Sequence, residues 1–140
     1  EALRRRTAGT NVEVVTADAT GLPFENERFS AAVSFTMLHH VPSPELQDRL
    51  LAEVYRVLRP GGVFAGSDST SSLAFRLAHV FDTMVLVDPD GFAERLSHAG
   101  FVDVHIQPGR GAFRFRGVRP PVKSMNGTPA GTDRGQGTSN

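Results

Sequence analysis

The sequence predicts an α/β fold: a doubly wound, mostly parallel sheet ending in an antiparallel hairpin. Three observations predict it. Apolar runs of strand length alternate with segments of helical period. The run from Phe29 to Phe35 is almost continuously apolar, which suits a strand covered on both faces. After the turn at Gly109 to Gly111, Phe113 and Phe115 alternate with Arg114 and Arg116, the period of a strand with one buried face.

Each element follows from its residues. Glu1 to Arg6 is a charged helical stretch with no apolar signal region, and no later run reaches membrane-spanning length. Val12 to Thr16 is short and β-branched, so a strand is expected there, running into a polar loop at Ala17-Asp18-Ala19. The run 29–35 supplies the next strand and stops at Thr36. Ser43 then caps a helix, with Pro44 at its first position and Glu45 at the positive end of the dipole. Leu46, Leu50, Val54 and Leu58 make its apolar stripe, and Gln47, Asp48, Arg49, Glu53 and Arg56 occupy the other side. Pro60-Gly61-Gly62 ends it, and Val63 to Ser67 reads as a strand. Residues 71–87 are apolar with mixed spacing and are expected to form a helix and loop over the sheet edge. Asp88-Pro89 opens a helix that turns Phe92 and Leu96 inward, Ala99-Gly100 closes it, and Phe101 to Ile106 is a strand.

With 140 residues and 39% hydrophobic content the chain supports one core. Residues 1–116 are assigned to that domain. Residues 117–140, rich in Gly, Pro, Ser and Thr, are expected to be a disordered tail, because they carry too little apolar surface to offset the entropy of ordering. Fifteen basic and fifteen acidic residues cancel, which removes any general pull towards nucleic acid or anionic membrane. Arg110, Arg114, Arg116 and Arg119 form a basic stripe that reads as a solvated strand face. The absence of cysteine excludes disulfides and thiolate chemistry and leaves a cytoplasmic location as the expectation.

In open α/β sheets ligands bind beyond the carboxyl ends of the strands, here Asp18, Ser34 to Thr36, and Ser67 to Ser69. A carboxylate at Asp18 can accept from an amine or a ribose hydroxyl; it can equally cap its own turn. His39 and His40 lack the spacing and the carboxylate partners of a metal site, so no metal is expected.

Three blocks, Val15 to Phe24, Phe29 to Val41, and Val57-Leu58-Arg59-Pro60-Gly61-Gly62, stand in an order and spacing that resemble the small-molecule class I S-adenosylmethionine-dependent methyltransferases, of type 11. The resemblance runs from about Val12 to Arg116. It implies a Rossmann-like sheet, S-adenosyl-L-methionine as cofactor and a small-molecule methyl acceptor. It further implies that Asp18 and Ala19 contact the adenine, that Phe35 and Thr36 lie by the methionine moiety, and that His40 borders the pocket. No catalytic residue is assigned. Methyl transfer needs mainly alignment of acceptor, methyl and sulfur; His40 and Asp68 are the candidates if a general base exists.

The departures matter as much. The family's glycine-rich loop and ribose-binding acid are missing, and neither Gly109-Arg110-Gly111 nor Gly135-Gln136-Gly137 precedes a helix that could replace the loop. Ser30 stands where the family commonly has aspartate. The chain thus reads as an N-terminally truncated domain lacking the first two strands of the order 3-2-1-4-5-7-6, with impaired cofactor binding. Strands 12–16 and 32–36 are then expected either to pair directly or to leave an unpaired edge open to self-association. A non-catalytic remnant or interaction module is the rival reading. A nicotinamide-dependent dehydrogenase is a third, and it too requires a glycine-rich turn.

Overall fold

A computed structural model describes residues 2–70 and 87–122. In chain order the elements are α1 (Ala2–Thr7), β1 (Phe29–Phe35), a 3-10 turn (Leu38–His40), α2 (Pro44–Val57), β2 (Leu58–Ser69), α3 (Pro89–His98), β3 (Val102–Pro108) and β4 (Ala112–Val118). The sheet order is β1-β2-β4-β3. β1 pairs with β2 in parallel, while β4 runs antiparallel to both β2 and β3, so three of the four strands point one way.

The helices form where capping chemistry places them. The Ser43 hydroxyl accepts from the Leu46 N–H at 3.2 Å and opens α2. The Asp88 carboxylate accepts from the Asp90 N–H at 3.2 Å and opens α3. Leu50, Leu51 and Val54 of α2 and Phe92 and Leu96 of α3 are buried in one core with Phe64, Phe113 and Phe115 of the sheet. Phe92 meets Phe113 and Phe115 edge-on, with ring centroids 5.5 and 5.1 Å apart. β2 must be slim to pass between its neighbours: a Cβ on Gly66 would collide with the Ser34 carbonyl and the Phe115 ring.

Several expectations are corrected. Residues 12–16 are not a strand; Val12 and Val15 are exposed, and no backbone hydrogen bond joins the segment to β1. A β-branched run favours extended backbone but needs a neighbouring ladder to become a strand, and none lies beside it among the described residues. Direct pairing with 32–36 therefore does not occur, and among the described residues β1 has β2 as its single partner. Nor is β1 covered on both faces. Cross-strand partners share a face, which puts Ser34, Gly66 and Phe115 against the helices and Val33, Ala65 and Arg116 on the other side. On that side Val33 is 67% and Phe35 65% exposed. Gln47, expected on the polar side of α2, is buried, and its amide donates to the Leu38 carbonyl at 3.1 Å. β4 runs two residues past the boundary set at 116. The remaining expectations for 71–86 and for 123–140 fall outside the described residues. No helix among the described residues is long and apolar enough to cross a membrane.

Candidate functional site

A cleft of about 380 Å³ lies beside the carboxyl end of β1, lined by Asp18, Ala19, Thr20, Met37, His40 and Leu46 among others. Two structures hold it in place.

The first is a clamp from α2 onto the Asp18 loop. Glu53 accepts the Leu22 N–H at 2.7 Å. Arg56 donates to Glu53 at 2.7 and 2.8 Å, to the Leu22 and Phe24 carbonyls at 3.0 and 2.8 Å, and to the Asn26 side chain at 2.8 Å. The hydrogen bond from Arg56 holds the Glu53 carboxyl below the usual glutamate range. These two residues fix a segment that has no ladder of its own.

The second is Asp68, wholly buried at the end of β2. Its carboxylate accepts the Leu38 N–H at 2.7 Å, the Ser69 N–H at 2.7 Å and a hydrogen bond from the His39 imidazole. It thereby ties the 3-10 turn to the strand tip. With its oxygens engaged and no solvent access, Asp68 is a positioning group, not the general base considered from sequence. His39 is the buried member of the histidine pair, and His40 is the exposed one that lines the cleft.

Asp18 does two things. Its Oδ1 accepts the Thr20 N–H and the Thr20 hydroxyl, both at 2.8 Å, so the turn-capping role is real. These bonds, the backbone one foremost, lower its pKa and keep the carboxylate anionic at neutral pH. Its Oδ2 and the Ala19 N–H make no hydrogen bond among the described residues, leaving one anionic acceptor beside one donor. That pair matches the exocyclic amine and ring nitrogen of an adenine edge.

The structure thus brings Asp18, Ala19 and His40 to one cleft; Phe35 and Thr36 do not line it. Phe35 points to the exposed sheet face. Thr36 follows it at φ +49°, a left-handed backbone unusual for a β-branched residue, with its N–H donating to the Ser67 carbonyl at 2.9 Å. Glu53, Arg56 and Gln47 are the supporting residues that sequence reasoning missed. An i,i+3 Glu–Arg pair carries the signature of any solvated helix face. Among the described residues no group of three metal-ligating side chains occurs.

Known proteins share sequence and fold with this chain. Residues 1–66 match a family model described as a methyltransferase domain. The chain is 32% identical over 141 residues to 2-methyl-6-phytyl-1,4-hydroquinone methyltransferase 1, chloroplastic, of Oryza sativa subsp. japonica, across 99% of this chain and 41% of that protein. A second rice hydroquinone methyltransferase is 33% identical with 39% of its length covered, so the chain spans about two-fifths of these relatives. Among solved structures, a Thermotoga maritima S-adenosylmethionine-dependent methyltransferase superposes with a TM-score of 0.66 at 22% identity, covering 85% of this chain and 70% of that one. At that identity the likeness speaks for the fold.

Proposed function

We propose that the chain, which is similar to the class I S-adenosylmethionine-dependent methyltransferases, supplies the adenine-binding side of a site that methylates a small molecule. The carrying observation is the Asp18 Oδ2 beside the Ala19 N–H, neither hydrogen-bonded among the described residues, at a cleft that His40 also lines. The residues fit the cofactor: the carboxylate would accept from the exocyclic amine, the amide would donate to the ring, and Met37 and Leu46 of the cleft lining would give it apolar contact. When bound, the cofactor supplies an activated methyl group. The protein's part is to hold donor and acceptor in line, which accounts for a large share of the rate in a transfer of this kind. The relatives' names suggest a lipophilic hydroxylated or quinol acceptor.

The test is a titration of the chain with S-adenosylhomocysteine, read by amide chemical shifts. Perturbations at Asp18, Ala19 and His40 that vanish in Asp18→Ala are the expected result. Shifts confined to other surfaces would overturn the site, and a flat titration to millimolar ligand with a folded protein would favour the non-catalytic reading. The edge of β1, which has no strand partner among the described residues, supports a second proposal, that the chain self-associates there.

A further inference from the structure

We propose that a second, apolar cleft beneath β1 binds a small lipophilic molecule carrying one hydroxyl or carbonyl oxygen, with the Ser34 Oγ as its hydrogen-bond partner. The cleft encloses about 290 Å³ between β1, α2 and the clamped loop, with Leu22, Ala32, Val54, Val57 and Phe64 among its walls. Ser34 lines it too. Ser34 is 6% exposed, and its Oγ is the one buried side-chain polar atom without a hydrogen-bond partner among the described residues. A buried hydroxyl left unpaired is costly, and one facing an apolar cleft gains from any ligand that brings a partner. A hydroxyl both donates and accepts, so it takes an alcohol, a phenol or a carbonyl. A water would need two or more polar partners, and among the described residues the lining side chains offer Ser34 alone.

Size and access narrow the ligand. The volume is about twice that of the ~150 Å³ apolar cavity that accepts benzene and sits near the lower bound of roughly 300 Å³ for ligand pockets. Two fused rings or a chain of about ten carbons is the matching scale. Ala31 and Val33 also border the cleft, so it opens along the edge of β1 that has no strand neighbour among the described residues. Ala19 and Met37 line both this cleft and the one holding Asp18. If the methyl-transfer reading holds, the occupant is the acceptor or its apolar arm; the binding site itself does not depend on that reading.

Calorimetric titration of the 140-residue chain with 1-naphthol and with naphthalene tests the proposal. Saturable one-site binding is expected, with the naphthol about fivefold tighter, the worth of one net hydrogen bond. Ser34→Ala should erase that preference while naphthalene still binds, and Ala32→Leu, which grows into the cleft, should weaken both ligands at least tenfold. Ser34→Ala removes a single oxygen, so it keeps the test available if Ala32→Leu fails to fold. Absence of saturation in a folded protein, or a preference that survives Ser34→Ala, overturns the site. Naphthol failing while S-adenosylhomocysteine still shifts Asp18 would sink this inference alone; the reverse pattern would sink the methyl-transfer reading alone.

Discussion

Asp68 shows how a residue's neighbours decide its role. A carboxylate at a strand tip qualifies as a base by position, but this one is fully buried and receives two backbone N–H groups and the His39 ring. Asp68→Asn keeps the shape, halves the acceptor capacity and places an NH₂ where a donor already points. We expect a loss of about 2–4 kcal/mol of unfolding free energy, the scale for disrupting a buried charged hydrogen-bond set, measured by urea denaturation. A loss below about 0.5 kcal/mol would mean that the turn does not depend on the carboxylate. Arg119 is the converse case. From the sequence it belongs to a basic stripe at the start of a tail, yet its guanidinium donates to the Tyr55, Arg56 and Leu58 carbonyls at 3.0, 3.2 and 2.7 Å and pairs with Glu27 at 2.7 Å. It lies over the Tyr55 ring at 4.8 Å. It thus satisfies the orphan carbonyls that end α2. Arg119→Leu should cost about 1–3 kcal/mol, whereas Arg116→Leu, on the exposed face, should stay within about 0.5 kcal/mol; equal effects in the two variants would contradict this role.

At the level of elements, the parts whose stability is local were legible and the parts that need a distant partner were not. α2 and α3 announce themselves through Ser43-Pro44 and Asp88-Pro89, and the hairpin through the Phe113/Phe115 alternation, because caps and periodicity act within a few residues. The strand expected at 12–16 does not form, because extended propensity needs a ladder that no local pattern supplies. The Asp18 cleft was half legible: the motif located Asp18, Ala19 and His40, but the Glu53–Arg56 clamp spans some thirty residues and leaves no local mark. That clamp predicts a pH signature. Its hydrogen bonds hold the folded Glu53 carboxyl below the ordinary value of 4.5, so the stabilisation is fully present above pH 4.5 and fades as pH falls through the lower, folded-state value. Glu53→Gln should therefore destabilise the chain by about 1 kcal/mol at pH 7 and by progressively less below pH 4.5. Thermal unfolding at a series of pH values checks this, and a gap between the two proteins that stays constant down to pH 3 would rule the clamp out as its source.

For the whole molecule the decisive feature is asymmetry. One face of the sheet carries α2, α3 and the aromatic core; the other exposes Val33 and Phe35, and among the described residues no strand pairs with the edge of β1 beside them. The segment Ser30-Ala31-Ala32-Val33-Ser34 contains neither charge nor proline, the usual devices that keep edges apart. Two copies meeting antiparallel about Val33 would set Ala31 against Phe35 and Val33 against Val33 on the exposed side, an isologous contact that closes at a dimer. Sedimentation velocity should accordingly show a concentration-dependent dimer. Val33→Lys, which places a charge at the centre of that edge and touches none of the clamp or cap residues, should return the chain to monomer with its unfolding midpoint nearly unchanged. If the lysine variant still dimerises, the contact lies elsewhere, and the Val33 edge is not the surface through which copies of the chain meet.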